Sequence, residues 1–369
     1  MNLLTFLKRR LGLDTNQQKY AYGEDPRFGL VSASRVADEW VKTTCGYCSV
    51  GCGMLIGVKD GQAVAARGNP DHPVNRGKLC PKGLSEHHIL ASPGRAKLPL
   101  LRKNGVLEPV SWDEALTTMV ERISAIQAKH GPASLGVVGT GQLLTEEYYT
   151  LGKLVQLGFR TPNNDGNTTL CMASAVSGYK LSFGSDGPPG SYADLAEADV
   201  VLLIGSNIAD NHPILCHRLD RKGTDAVTGR TLIVVDPRVT KTAMMADIHL
   251  PVKPRSDIAL INGIAHILIR DGLTDPAYIA AHTSGYEEFA RFVAAFTPEH
   301  VSLVTGLPPE QIERVAHLYG RAKAGFIGWT MGVNHSSQGA MTVAAINNLA
   351  LITGHIGRVG AAPFSITGQ

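Results

Sequence analysis

The chain has 369 residues, enough for more than one domain, and its 44% hydrophobic and 18% charged content excludes wholesale disorder. Lys plus Arg (35) nearly balances Asp plus Glu (32), and the formal charge of +3 gives no reason to propose a nucleic-acid partner. No run reaches the roughly 18 apolar residues that span a bilayer, so no membrane span is expected.

Residues 1–40 read as a polar N-terminal extension with some helix. Arg9-Arg10 raises a twin-arginine export signal, but only Leu11, Gly12 and Leu13 follow before Asp14, too few for an apolar signal core. A short basic helix and a cytoplasmic chain are expected. From Thr43 to about Pro99 the sequence is turn-rich. Two apolar stretches in "GMLIGVKDGQAVAARGNP" are joined by Asp60-Gly61, a hairpin signal. This small β-containing lobe has little apolar mass, which a bound metal would supplement.

At "SWDEALTTMVERISAIQAKHG" the style changes. Ser111 with Glu114 three residues on makes a capping-box pattern, and Gly131 stops the helix. "SLGVVGTG" reads as a buried strand and "TEEYYTLGKLVQLGF" as a helix from Thr145. "ADVVLLIGSN" is a strand running into a polar turn, followed by a helix over "HPILCHRLDRKG". "TLIVVDPR" is a second such strand, and "SDIALINGIAHILIRDG" a long amphipathic helix. "AGFIGWTMG" repeats the strand-then-glycine pattern. Apolar strands that break into polar turns before helices predict a parallel, nucleotide-binding type of sheet and an α/β fold.

Three of the six cysteines fall within eight residues, and with Cys80 the set Cys45, Cys48, Cys52 and Cys80 reads C-x2-C-x3-C-x27-C. In a reducing compartment such thiols argue for metal rather than disulfides. Three close thiolates and a distant one can wrap a cubane, one sulfur per iron. Tetrahedral zinc usually shows two CxxC pairs, and a lone cysteine followed by Pro81 fits a zinc ribbon poorly. A [4Fe–4S] cluster is therefore expected. Cys216 lies with Ile214 and Leu215 on the apolar side of its predicted helix and is read as core.

This spacing, together with "CPKG", "NTTLCMASAV", "GSNIADNHP", "VVDPR" and "MGVNHSSQG", resembles the molybdopterin oxidoreductases of the dimethyl-sulfoxide-reductase family, from Thr43 to Gln369. Within it the resemblance is to the nitrate reductases, of the cytoplasmic assimilatory kind. It implies a small Fe–S lobe at 41–100, then α/β domains over 101–369 around a pseudo-twofold cofactor cleft, with a later half that relatives carry and this chain lacks. The implied cofactors are the cluster and molybdenum bis(molybdopterin guanine dinucleotide).

Residue by residue, the resemblance makes Cys45, Cys48, Cys52 and Cys80 the cluster ligands. Lys82 would lie between cluster and pterin, where a cation stabilises added negative charge; outside the motif it would read as a solvated surface lysine. Cys171 would ligate molybdenum as a soft thiolate; a lone cysteine at a helix start is otherwise a small buried hydrophobe. Gln142 and Asn167 would contact the pterin beside it. Gly205, Ser206, Asn207 and Asn211 would hold diphosphate, whose approach glycine and backbone N–H groups favour. Asp236 and Asp257 suit a guanine or ribose edge, and Arg238 a phosphate. Met331 and His335 would line the active site, a place where periplasmic relatives more often carry Gln than His. The plain alternative for each is a strand-end turn or helix cap.

The implied reaction is reduction of nitrate to nitrite, with electrons from a ferredoxin, a flavodoxin or an NADH-dependent flavoprotein subunit. Two alternatives stand beside it. Formate dehydrogenases of the family carry Cys or selenocysteine followed by His, whereas Met172 follows Cys171. A non-catalytic Fe–S electron-transfer subunit would not need Cys171 or the strand-end turns.

Overall fold

The protein, a computed structural model, is described over residues 22–219 and 229–366. The basic helix expected at Arg9-Arg10 and the end of the helix expected over "HPILCHRLDRKG" lie outside the described residues. The described chain forms two compact units, residues 22–47 with 51–117, and residues 48–50 with 118–366.

The first unit is built from small antiparallel sheets. Its entrance is β1 (Tyr22–Asp25) paired with β2 (Gly29–Ser32). Asp25 holds this entrance together. Its buried carboxylate accepts from the backbone N–H groups of Arg27, Phe28 and Ala37 and from Trp40 Nε1, a long-range set that local helix propensity does not register. Next, β3 (Glu39–Thr44), β4 (Gly53–Lys59) and β5 (Gln62–Gly68) form a meander. Its second turn is the expected Asp60-Gly61, with φ of 49° and 72°, both left-handed as a two-residue hairpin turn demands. Helix α1 (Pro81–Ser85) and the hairpin β6 (Leu100–Lys103) with β7 (Val106–Pro109) follow.

Helix α2 (Trp112–His130) starts where Glu114 N–H donates to Ser111 Oγ and ends at Gly131, whose φ is 83°. The Glu114 side chain pairs with Lys103 instead, at 2.5 Å. The strand in "SLGVVGTG" exists as β8 (Val137–Gly139) but is not buried, since Val138 is 82% exposed. Helix α3 (Thr145–Lys153) runs into a π-helical turn (Leu154–Phe159), and β9 (Asn164–Gly166) pairs with β8 in parallel. Then come α4 (Thr168–Cys171) and α5 (Ala173–Phe183).

The rest of the second unit is the expected parallel sheet. Its strands are β10 (Val200–Ile204), β11 (Thr231–Val235), β12 (Ile248–Leu250), β13 (Gly325–Trp329) and β14 (Ala362–Ser365), in the order β12-β11-β10-β13-β14, every pair parallel. β10 is buried along its whole length, as a central strand covered on both faces must be. A one-turn helix α6 (Ile208–Asn211) follows β10. The helix α7 (Asp257–Arg270) is less amphipathic than its sequence suggested: nine of its fourteen residues are buried, because helices pack on several sides of it. Helix α8 (Pro309–Gly320) is one of them; the single turn α9 (Met331–Asn334) and helix α10 (Gly339–Ile352) follow β13. Gly178 of α5 packs against Val343 of α10 so closely that a Cβ would lie 2.4 Å from the valine side chain.

Candidate cofactor sites

In the first unit, the backbone N–H of Cys45 donates to the carbonyl of Cys52 at 2.8 Å, placing both cysteines at the closed end of the β3–β4 pair. Cys80 is the residue before α1, and Gly83 of that helix lies over Cys45. A Cβ there would sit 3.3 Å from the Cys45 sulfur. It would also sit 2.9 Å from the Leu79 side chain, so glycine eases the approach of the helix to the thiol. Burial pushes the Cys45 thiol up to about 12, so metal must displace its proton. Cys48 occupies the turn at 47–50 and is half-buried. None of the six cysteines is in a disulfide, and among the described residues no three Cys, His, Asp or Glu side chains converge as a metal-holding group. Three of the four expected ligands share one neighbourhood through backbone pairing and helix packing, before any closure of sulfurs. Lys82, in the first turn of α1, is half-buried with Nζ 4.9 Å from the ring centre of Tyr47, a cation–π distance.

The second unit carries a cavity of about 530 Å³ at the carboxyl ends of β10, β11 and β13. Connections leave β10 on opposite sides, to β11 and to β13, which is where open parallel sheets bind ligands. Gly205, Asn207, Asn211, Asp236, Arg238, Asp257, Met331 and His335 all line it, so the fold collects residues scattered over 130 positions of sequence. Gly205 has φ of 55°, and its Cα faces Gly332; a Cβ on Gly205 would lie 2.7 Å from the Gly332 Cα. The two glycines let the β10 and β13 turns touch, and Gly332 N–H donates to Gly205 O at 3.1 Å.

Asp236 is buried at the end of β11 and accepts from the backbone N–H of Arg238 at 2.8 Å. Burial raises the Asp257 carboxyl, with the Asp236 carboxylate as a lesser cause. A ligand edge bearing N–H groups would relieve both, and Arg238 adds positive charge to the same wall. Asn207 is already oriented, its Oδ1 accepting from Thr242 and its Nδ2 donating to Asp210. Ser206 is fully buried, off the cavity wall, with no hydrogen-bond partner for its hydroxyl. Gln142 and Asn167 stand apart from this cavity but next to each other in the fold: Asn167 Oδ1 accepts the N–H of Gly141 at 2.6 Å. Cys171, half-buried at the end of α4, places its thiol 3.4 Å from the thioether of Met331 on the cavity wall. Cys216 is core, as expected.

Sequence reading missed Arg255, Thr330, Ser336 and Ser337, which share the cavity wall. Arg255 stands in the same "PRSD" as Asp257 and carries a φ of 72°, uncommon for a residue with a side chain. A larger cavity, about 600 Å³, opens beside Val200 and Thr231 at the opposite edge of the sheet. It holds no glycine-rich strand-end turn, so the smaller cavity is the cofactor candidate.

An open parallel sheet with glycine turns and paired carboxylates at its carboxyl edge defines a nucleotide-bearing cofactor protein. The molybdopterin oxidoreductase family model matches residues 95–367, and the molybdopterin oxidoreductase Fe4S4 domain matches residues 38–92. The chain belongs to the molybdopterin oxidoreductase family, whose cofactors are a molybdopterin and a [4Fe–4S] cluster. It is 42% identical over 350 residues to the periplasmic nitrate reductase of Desulfovibrio desulfuricans, covering 92% of this chain and 46% of that protein. It is 37% identical to the F420-dependent formate dehydrogenase 1 subunit alpha of Methanococcus maripaludis, over 90% of this chain and 48% of that one. Among solved structures, acetylene hydratase from Pelobacter acetylenicus superposes with a TM-score of 0.76 at 26% identity, over 87% of this chain and 44% of the other. The chain thus spans about half the length of the curated relatives it matches.

Proposed function

We propose that the protein reduces nitrate to nitrite. Nitrate takes up two electrons and two protons and leaves as nitrite and water. The supporting observation is Cys171, a soft thiol followed by Met172 and set 3.4 Å from the Met331 thioether beside the cavity. No ionisable side chain follows that thiol, so the formate reading, favoured by one relative's name, lacks its neighbouring proton acceptor.

Bound at this cavity, a molybdopterin supplies molybdenum able to take an oxygen atom in a two-electron step. Cys171 would hold the metal as a thiolate. Asp236 and Asp257 accept N–H groups of a guanine-like ring, and Arg238 with Arg255 neutralises diphosphate. Gln142 and Asn167 contact the pterin, and Met331 and His335 border the substrate. Cys45, Cys48, Cys52 and Cys80 would hold the cluster, which would supply electrons, and Lys82 would place a positive charge beside it. Residues 41–100 form the electron-entry domain and 101–369 the pterin-binding part. The electron donor is a ferredoxin, a flavodoxin or an NADH-dependent flavoprotein.

No helix among the described residues is long and apolar enough to cross a membrane. We place the protein in the cytoplasm, where the four cysteines of the C-x2-C-x3-C-x27-C spacing would stay reduced and available to a cluster. Nitrite formation by the full-length, cofactor-loaded protein with reduced viologen tests the reading, with formate oxidation measured alongside. Activity on formate alone would overturn it.

A further inference from the structure

Two side chains of the one-turn helix α9, three residues apart, grip two consecutive residues about 160 positions earlier in the chain. Met331 touches Cys171, thiol to thioether at 3.4 Å. Asn334 donates Nδ2–H to the thioether of Met172 at 3.3 Å. Residues at i and i+3 share one helix face, so the turn presents both contacts together. A third residue fixes the second contact: Trp329, the last of β13, donates its indole N–H to Asn334 Oδ1 at 3.2 Å. Indole N–H only donates and a thioether only accepts, so the Asn334 amide has one orientation that serves both. Trp329, Asn334 and Met172 are 0%, 3% and 6% exposed, so no water competes for these bonds.

We infer that Asn334, oriented by Trp329, is a positioning residue for the Cys171 thiolate. Met172 begins the turn into α5, with its φ at −114° and its carbonyl accepting from Val176 N–H. Anchoring its side chain fixes the peptide that follows Cys171, and Met331 bounds the thiol from the cavity side. A buried asparagine that only filled the core would need any donor and acceptor. This one spends both hydrogen-bonding ends on side chains, one of them adjacent to the sulfur. The inference rests on the reading of Cys171 as the molybdenum ligand.

The test uses the full-length, molybdenum-loaded protein and Mo(V) electron paramagnetic resonance. Met172→Leu keeps volume but removes the acceptor, and Asn334→Asp keeps shape but removes the donor. Both are expected to shift and broaden the Mo(V) lines while molybdenum content and the reduced-cluster signal stay at wild-type levels. The kcat for nitrate should fall roughly tenfold with KM unchanged, as small misplacement of a reacting group does. The double variant should be no worse than the worse single, because both cut one link. A wild-type Mo(V) spectrum in Met172→Leu, or additive losses in the double variant, overturns the inference. If Asn334→Asp fails to load metal, Met172→Leu with Trp329→Phe, which removes only the indole donor, decides it by the same spectrum. Cys171→Ser separates the two claims: an unchanged spectrum there sinks the ligand assignment itself, whereas a changed one beside an unchanged Met172→Leu sinks only the positioning role.

Discussion

Lys82 illustrates how one position combines local and remote demands. Its ammonium rests on the Tyr47 ring, half-shielded from water, two residues past Cys80. Replacing it by Met keeps the packing of its stem and removes the charge. Lys82→Met is expected to load both cofactors and to slow electron delivery about tenfold or more, the loss of one charge-assisted contact of about 1.5–3 kcal/mol. Stopped-flow reoxidation of the reduced cluster by nitrate measures this; an unaltered rate would leave Lys82 a packing residue. The strand-end Gly205 and the aspartates Asp236 and Asp257 were legible as candidates from type and position, and the fold gathers them on one cavity wall. Asn334 and Arg255 sat inside motifs that were read, yet escaped notice. Their significance arises from partners 162 residues away in one case and from a left-handed backbone in the other, and neither is written in local sequence.

At the level of elements, hydrophobic patterning located β10, β11 and β13 of the main sheet because continuous apolar runs ending in Gly or Asp have few other readings; it missed β12 and β14, which are only three and four residues long. It overstated β8, since an apolar run says nothing about whether cover is available, and it missed β1 and β2, which depend on Asp25. The contact between the β10 and β13 turns sets a strict steric limit. Gly205→Ala is expected to destabilise the fold by about 1–3 kcal/mol and to reduce molybdenum content, as read by urea unfolding and metal analysis, since the new methyl meets backbone and the residue keeps a positive φ. A second consequence concerns α8 and α10. His355, just past α10, donates Nε2–H to the carbonyl of Tyr319 at 3.2 Å and receives a guanidinium N–H of Arg358 at Nδ1, 2.9 Å. Burial, and to a lesser degree Arg358, lowers it to about 4. The folded chain therefore keeps His355 neutral down to about pH 4, whereas the unfolded chain takes up the proton near 6.5. Its effect on stability is nil above pH 6.5 and grows unfavourable as the pH falls through that window, by up to about 3 kcal/mol. Urea midpoints between pH 7.5 and 4.5 should show this slope, and His355→Gln should flatten it.

For the molecule as a whole, the apolar stripe of α2 matters most. Trp112, Leu116, Met119, Val120 and Ile126 recur at helical spacing, all exposed, and none of the nineteen residues of that helix is buried. Among the described residues nothing covers this stripe, and the chain spans about half the length of its relatives. The chain is therefore expected to bind a hydrophobic dye, and Leu116→Lys with Val120→Lys should remove most of that binding while leaving the fold intact by circular dichroism. Undiminished dye binding by that variant would place the apolar surface elsewhere. The strand order β12-β11-β10-β13-β14 also has a consequence in time. About 120 residues separate the end of β10 from the start of β13, a gap the ribosome crosses in roughly 6–24 s. Throughout that interval the central, fully buried strand β10 has one edge without its neighbour, and the cavity lacks the wall that Met331 and His335 provide. The β10 edge is completed only when Trp329 has been made, and so is this cavity. The order of strands thus makes completion of this cavity a late event in the synthesis of each molecule.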